Sequence, residues 1–259
     1  MSEGLRVTGL SAGYQGRLVL RDLSLEEAVP GQVVSLIGPN AAGKSTLLRA
    51  LASLLPARGS VTLGPRELTD LSLAERARWV TYMPQTLPQG VALTVLETLV
   101  SALRASPVQD ADAGDDADRA LAVLERLDLA ALAMRRLDQL SGGQKQLVSL
   151  AQALVRGPRV LLLDEPTSAL DLRHQLQVLK AVRELARERG MIVIMVLHDL
   201  HAAARASDRV VVLSDGAVAA DGTPVQAITP AILAQVYQVR ARVEPCAQGS
   251  LQVIVDDVL

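Results

Sequence analysis

The stretch Gly38-Pro39-Asn40-Ala41-Ala42-Gly43-Lys44-Ser45-Thr46 satisfies the pattern G-x4-G-K-[ST]. A glycine-rich backbone of this kind can wrap the β- and γ-phosphates of a nucleotide. Lys44 can add a point charge, and the Ser45 hydroxyl can ligate Mg2+. By average composition such a string arises by chance in roughly 1% of chains this long, the alternative being a glycine-rich turn with an incidental lysine. A second candidate is the acid pair in "VLLLDEP". Asp164 would emerge at the C-terminal end of a buried strand, where open α/β sheets bind ligands, and could hold the metal through water. Glu165 follows at once, placed as base or orienter for an attacking water. Paired acids after a strand can also cap a helix, and the residues leave that reading open. The third candidate is "LSGGQ", Leu140–Gln144. Ser141 and Gln144 have the spacing of a capping box. Gly142 and Gly143 weaken a helix by up to about 1 kcal/mol each relative to Ala. Bare glycines at a helix start would let an anion approach N–H groups at the positive end of the dipole. The chain thus has two places suited to a phosphate.

These residues need a scaffold that ends strands where chemistry is wanted. Residues 1–37 read as β, through "LRVTGL", a turn around "AGYQG", then "LVLRDLSLEEAV" and "QVVSLI". After the glycine-rich loop, Leu47, Leu48, Leu51, Leu54 and Leu55 recur at helical spacing over "KSTLLRALASLL", and strands "GSVTL" and "WVTYM" follow. From Thr94 to Arg156 the pattern is helices and loops without a convincing strand. Inside it lies "DADAGDDAD", Asp110–Asp118, which lacks the terminal Glu of a calcium loop and reads as a solvated acidic loop. The α/β rhythm then returns, with "RVLLLDEP", a long helix over Leu172–Arg189, "MIVIMVLHD", "RVVVLSDG" and a hairpin return over "AVAADG". Continuous apolar runs alternating with helices imply a parallel sheet covered on both faces.

Composition narrows the options. The chain has 259 residues, 49% hydrophobic, enough for one large domain or two small ones. A net charge of −2 leaves no basic footprint, so nucleic acid is not expected as a partner. Cys246 is the lone cysteine and reads as a structural thiol. "MSEGLRVTGL" lacks the layout of a signal peptide, and the longest aliphatic run, Met191–Leu197, is too short to span a bilayer. A soluble, intracellular chain is expected, free to bind a membrane protein. With no Phe, one Trp and three Tyr, the core must be aliphatic, and any aromatic near a ligand is notable.

In their order and spacing, the phosphate loop, the acid pair and "LSGGQ" resemble the nucleotide-binding subunits of ABC transporters, over essentially the whole chain. The resemblance implies a P-loop, RecA-like mixed sheet with an antiparallel β subdomain and a helical insertion. It implies one nucleotide-binding domain over 1–259: a core of 1–84 and 158–221, a helical subdomain 85–157 and a C-terminal appendage 222–259. It also implies two copies, with Ser141, Gly142, Gly143 and Gln144 of one closing over ATP held by the other. Tyr14 matches the aromatic that stacks on adenine, although a turn tyrosine is the plain alternative. Gln85 matches the glutamine that reaches Mg2+ and the attacking water. Ser168–Asp171 ("SALD") matches the loop that meets its counterpart across the dimer. His198 matches the histidine that contacts the γ-phosphate, while His174 and His201 read as structural. Many relatives have Gly where this chain has Ala41, and a methyl there is tolerable if φ stays negative.

Stretches such as "LSGGQKQLVSLAQAL", "DEPTSALDLRHQLQVL" and "TPAILAQVYQVRARV" resemble the subfamily serving bacterial importers of ferric siderophores, haem and cobalamin, expected here in that order. The implied assembly is peripheral, on the cytoplasmic face of the inner membrane. Its partners are two transmembrane permease subunits and, indirectly, a substrate-binding protein. A non-transport ABC ATPase, such as an iron–sulfur assembly factor, shares the same nucleotide motifs. A regulatory P-loop switch is a third possibility, which "LSGGQ" disfavours.

Overall fold

The computed structural model describes residues 3–84, 93–105, 115–168, 170–247 and 249–259. Strands β1 (Leu5–Tyr14) and β2 (Arg17–Ala28) form a hairpin through Gln15-Gly16, both at positive φ. The wholly buried β3 (Val33–Ile37) runs into the phosphate loop and α1 (Lys44–Leu51). Next come β4 (Ala57–Leu63), the two-residue β5 (Arg66–Glu67), the short α2 (Leu73–Arg76) and β6 (Val80–Met83). Helices α3 (Val95–Arg104), α4 (Asp116–Arg126) and α5 (Gly142–Val155) build the insertion. Then β7 (Val160–Asp164), α6 (Leu172–Arg189), β8 (Ile192–Val196), α7 (Leu200–Ala206), β9 (Arg209–Ser214) and β10 (Ala217–Gly222) complete the central α/β unit. Helices α8 (Pro224–Ala227) and α9 (Pro230–Tyr237) lead to a hairpin of β11 (Val239–Pro245) and β12 (Leu251–Val258).

The central sheet has the order β10-β9-β3-β8-β7-β6. Its pairs are parallel except for β10 against β9. Val196 pairs with Leu36 on one side and Asp164 on the other, so β3, β8 and β7 end at one level. The phosphate loop, the acid pair and His198 therefore leave the sheet along one edge. A second, antiparallel sheet, β2-β1-β4-β5, lies beside α1.

Both faces of the central sheet are covered, as the unbroken apolar runs require. Along β7, Leu161 and Leu163 pack into the core shared with α3–α6, while Val160 and Leu162 pack into the core shared with α1 and the antiparallel sheet. The insertion is closed at its base by a Thr94–Arg136 bridge, flanked by bonds from Val95 N–H to Arg135 O (2.9 Å) and Leu137 N–H to Leu93 O (3.0 Å).

Three expectations need correction. Helix α1 stops at Leu51 instead of running to Leu55, because Ser53 takes φ 60° and turns the chain; Leu54 is 51% exposed. The short β5 and α2 were not expected from periodicity. The acidic run is not a loop throughout: Asp115 caps α4 and Asp116 and Asp118 sit in its first turn, where carboxylates favour the helix dipole. Its earlier part lies outside the described residues.

Candidate active site

The phosphate loop needs its glycines. Gly38 sits at φ 145°, and a Cβ there would come within 2.2 Å of the Leu213 carbonyl oxygen. Gly43 sits at φ 103°, with Leu20 Cδ2 2.7 Å from where a Cβ would lie. Ala41 takes φ 63°, against the expectation of a negative φ. The left-handed conformation costs an alanine about 1–2 kcal/mol, and the residue is exposed. Lys44 folds back over the loop and donates from Nζ to Gly38 O (2.7 Å) and Pro39 O (2.8 Å). An ammonium has three donors, and these bonds use two. Burial pushes the Lys44 ammonium below its ordinary pKa, and the Glu165 and Asp164 carboxylates push it back up. Helix α1 begins at Gly43 with no side-chain cap, so its N-terminal dipole faces the loop unscreened by a capping oxygen.

Two neighbours of this loop were not legible beforehand. The Gly216 N–H donates to Ala42 O at 3.2 Å from the β9–β10 turn, and a Cβ on Gly216 would meet Val19 O at 1.8 Å. "DG" signals a hairpin turn, but nothing local says that it braces the phosphate loop. From α9, the Tyr237 hydroxyl is pushed up to about 12 by burial, with the Gly38 backbone close enough to oppose that shift.

Asp164 ends β7 and is 1% exposed. Its Oδ1 accepts from Ser45 Oγ (2.9 Å) and its Oδ2 from the Tyr82 hydroxyl (3.0 Å). It does not cap a helix; Asp171 caps α6, accepting from His174 N–H at 2.9 Å. Burial holds the Tyr82 phenol up at about 12, so it remains a donor at neutral pH. Glu165 lies just beyond the strand at φ 53°. Its Oε1 shares a 2.5 Å hydrogen bond with His198 Nε2. Its backbone oxygen accepts from Gln146 Nε2 (3.2 Å) and Ser168 Oγ (3.2 Å). Tyr82 and Gln146 were both missed by sequence reasoning.

A cleft of about 800 Å³ runs from Tyr14 and Arg17 past Lys44 and Thr46 to Glu165 and His198. Asn40, Ala41, Ala42, Gly43 and Ser45 line its floor. Tyr14 is 40% exposed, and Arg49 NH1 donates to its hydroxyl at 3.1 Å, while the Tyr82 hydroxyl beside Arg49 helps to hold the guanidinium charged. Arg49 thereby joins the aromatic end of the cleft to the carboxylate end. Gln85 lies outside the described residues. Of the other histidines, His174 Nδ1 sits 2.7 Å from Asp171 Oδ1, and His201 Nε2 accepts from Val253 N–H at 3.1 Å.

The sequence profile of the family described as ABC transporter matches residues 20–168. This chain belongs to the ABC transporter family. It is 39% identical to the iron(3+)-hydroxamate import ATP-binding protein FhuC of Bacillus subtilis, over 90% of this chain and 87% of that one. It is 44% identical to the hemin import ATP-binding protein HmuV of Nocardia farcinica, over 90% and 82%. Among solved structures, a dimeric ATP-binding cassette in a post-hydrolysis state with ADP and Pi superposes with a TM-score of 0.76. It is 28% identical and covers 85% of this chain and 98% of its own. The chain is thus an ABC ATP-binding subunit, a transport ATPase built on the P-loop NTPase fold. Among the described residues, no helix is long and apolar enough to cross a membrane.

In this ABC subunit the "LSGGQ" segment stands apart from the cleft. Ser141, Gly142, Gly143 and Gln144 are not among the described residues that line it. The expected capping box is complete: Ser141 N–H donates to Gln144 Oε1 (3.0 Å) and Gln144 N–H to Ser141 Oγ (3.3 Å). The box takes two of the N–H groups at the start of α5, so glycines at 142 and 143 are where the backbone stays uncovered by side chains. A Cβ added at Gly142 would meet nothing within 4 Å.

Proposed function

We propose that this chain is the ATP-hydrolysing subunit of a bacterial importer for chelated iron, with a ferric siderophore favoured and haem the second choice. The reading of the solute rests on the iron(3+)-hydroxamate and hemin import relatives. The reading of the chemistry rests on one observation: the Lys44 loop, Ser45 and the Glu165–His198 pair line a single cleft, with the buried Asp164 bonded to Ser45 behind it.

Tyr14 stacks on adenine, and the loop from Gly38 to Thr46 holds the phosphates through backbone N–H groups and Lys44. Water attacks the γ-phosphorus in line, the bond to the bridging oxygen breaks, and ADP leaves as the water proton passes to the Glu165 carboxylate. His198 holds that carboxylate and contacts the γ-phosphate, and Gln85 orients the water. The donors at the phosphate end are hard oxygens, one hydroxyl and one carboxylate, which suits Mg2+ arriving with the nucleotide. Ser45 and, through water, Asp164 would hold that ion, which supplies positive charge against the β- and γ-oxygens. Tyr82 fixes the orientation of Asp164 from its other oxygen.

The active unit is two copies, each covering the other's ATP with Ser141–Gln144, and closure is passed to two permease subunits through the helical subdomain, 85–157. Residues 1–84 and 158–221 form the nucleotide-binding core and 222–259 an appendage. The subunit sits at the cytoplasmic face of the inner membrane, working with a substrate-binding protein on the far side. Glu165→Gln tests the chemistry. Turnover should drop by about 100-fold or more while ATP still binds, and the protein should elute as a dimer with ATP. A Glu165→Gln variant that hydrolyses at the parental rate overturns the assignment. For the solute, a strain lacking this gene should lose uptake of a ferric hydroxamate; loss of hemin uptake alone would select the second choice.

A further inference from the structure

Helix α5 carries two attachments one turn apart. At its start stand Ser141–Gln144, the surface assigned above to the partner's nucleotide. Gln146, 5% exposed, then donates from Nε2 to the backbone oxygen of Glu165 at 3.2 Å. The two points are about 7 Å apart along a rigid helix. Asp164 cannot shift with such a pull: it is the last paired residue of β7 and both its oxygens are held. Glu165 differs in its backbone, although its carboxylate too is held, by His198. It lies beyond the strand, in left-handed backbone at φ 53°, with its carbonyl held by Gln146 and Ser168. The Gln146 bond thus bears on the backbone from which the Glu165 carboxylate reaches His198, and such a conformation persists only while its surroundings hold it.

Packing alone does not call for an amide at this position. Leu147, Val148 and Leu150 anchor α5 in the core beside it, and a buried amide is tolerated only when its donors are satisfied. The geometry points to Gln146 as a positioning residue that couples the two ATP sites: when the start of α5 seats on the partner's nucleotide, Gln146 sets the backbone of this chain's own Glu165. Each catalytic carboxylate is then aligned only when the opposite site is filled, which makes hydrolysis cooperative in ATP. This inference rests on the two-copy reading above.

The test compares Gln146→Glu and Gln146→Leu in the full-length protein. Glutamate keeps the shape of the side chain but cannot donate when ionised; leucine removes the polar group altogether. The parent should show a Hill coefficient for ATP between one and two. Both variants should lower kcat at neutral pH by at least about tenfold, bring the Hill coefficient to one, and bind a fluorescent ATP analogue within about twofold of the parent. Gln146→Glu should regain part of its deficit relative to the parent as pH falls and its carboxyl gains a proton, whereas Gln146→Leu should not. Thermal unfolding checks the fold, and the near-isosteric glutamate variant stays informative if leucine disturbs it. Parental kcat and cooperativity in Gln146→Glu, or a lowered kcat with cooperativity intact, overturns the tether. A parent whose activity is neither cooperative nor dependent on its own concentration instead defeats the two-copy reading.

Discussion

Helices α1 and α5 both begin at glycines, yet their surroundings differ. At α1, Gly38 and Gly43 hold φ values of 145° and 103°, and a methyl on either would collide with Leu213 O or Leu20 Cδ2. No side chain caps that helix, and Lys44 is tied into the loop by two carbonyls. At α5, Gly142 is helical, a complete capping box closes the turn, and a Cβ would enter open space. The first pair of glycines is required by the chain's own backbone. Gly142 meets no such internal demand, which agrees with its proposed place against a second copy. The comparison separates glycines that the fold itself demands from one that it does not.

Alanine at the two starts gives the sharpest contrast. Gly38→Ala should cost more than about 3 kcal/mol in chemical denaturation, because a backbone oxygen blocks the methyl and φ is unsuited to it. Gly142→Ala should leave stability unchanged or raise it by up to about 1 kcal/mol. Equal costs at both positions would erase the distinction. Next in size, Ser141→Arg should reduce turnover by about 100-fold, equivalent to about 2.7 kcal/mol, with single-subunit ATP affinity nearly unchanged. If affinity fell as far as turnover, α5 would belong to the chain's own site. Tyr14→Ala should weaken ATP binding by about 1–3 kcal/mol, read by titration calorimetry, and spare the rate of a single turnover. Smallest is Ala41→Gly, which relieves left-handed strain at the expense of unfolded-chain entropy. It should raise stability by about 0.5–1 kcal/mol, and a loss of stability would mean the methyl is useful to the loop.

Much of the site was legible because phosphate binding imposes local demands. Strand, glycine loop, lysine and helix must follow in sequence, so Gly38–Thr46 could be recognised without a fold. Asp164, Glu165 and His198 were readable for a related reason: each stands where a buried apolar run stops, and the parallel sheet brings such ends together. Legibility failed where backbone sign or distant contact mattered. The positive φ of Ala41 cannot be inferred from an alanine, and the end of α1 depends on Ser53 adopting φ 60° within a leucine-rich run.

The sequence by itself determined the order of the main strands and helices, short β5 and α2 apart, the aliphatic character of the core and the nucleotide motifs. Each of these is written in periodicity or in a few adjacent residues. Only the tertiary structure decided that Tyr82 braces Asp164 across 82 positions, that Gln146 reaches Glu165 across 19, and that Gly216 supports the phosphate loop. These residues carry no local signature, since a tyrosine hydroxyl, an amide or a turn glycine acquires its task only from the atom that folding sets beside it.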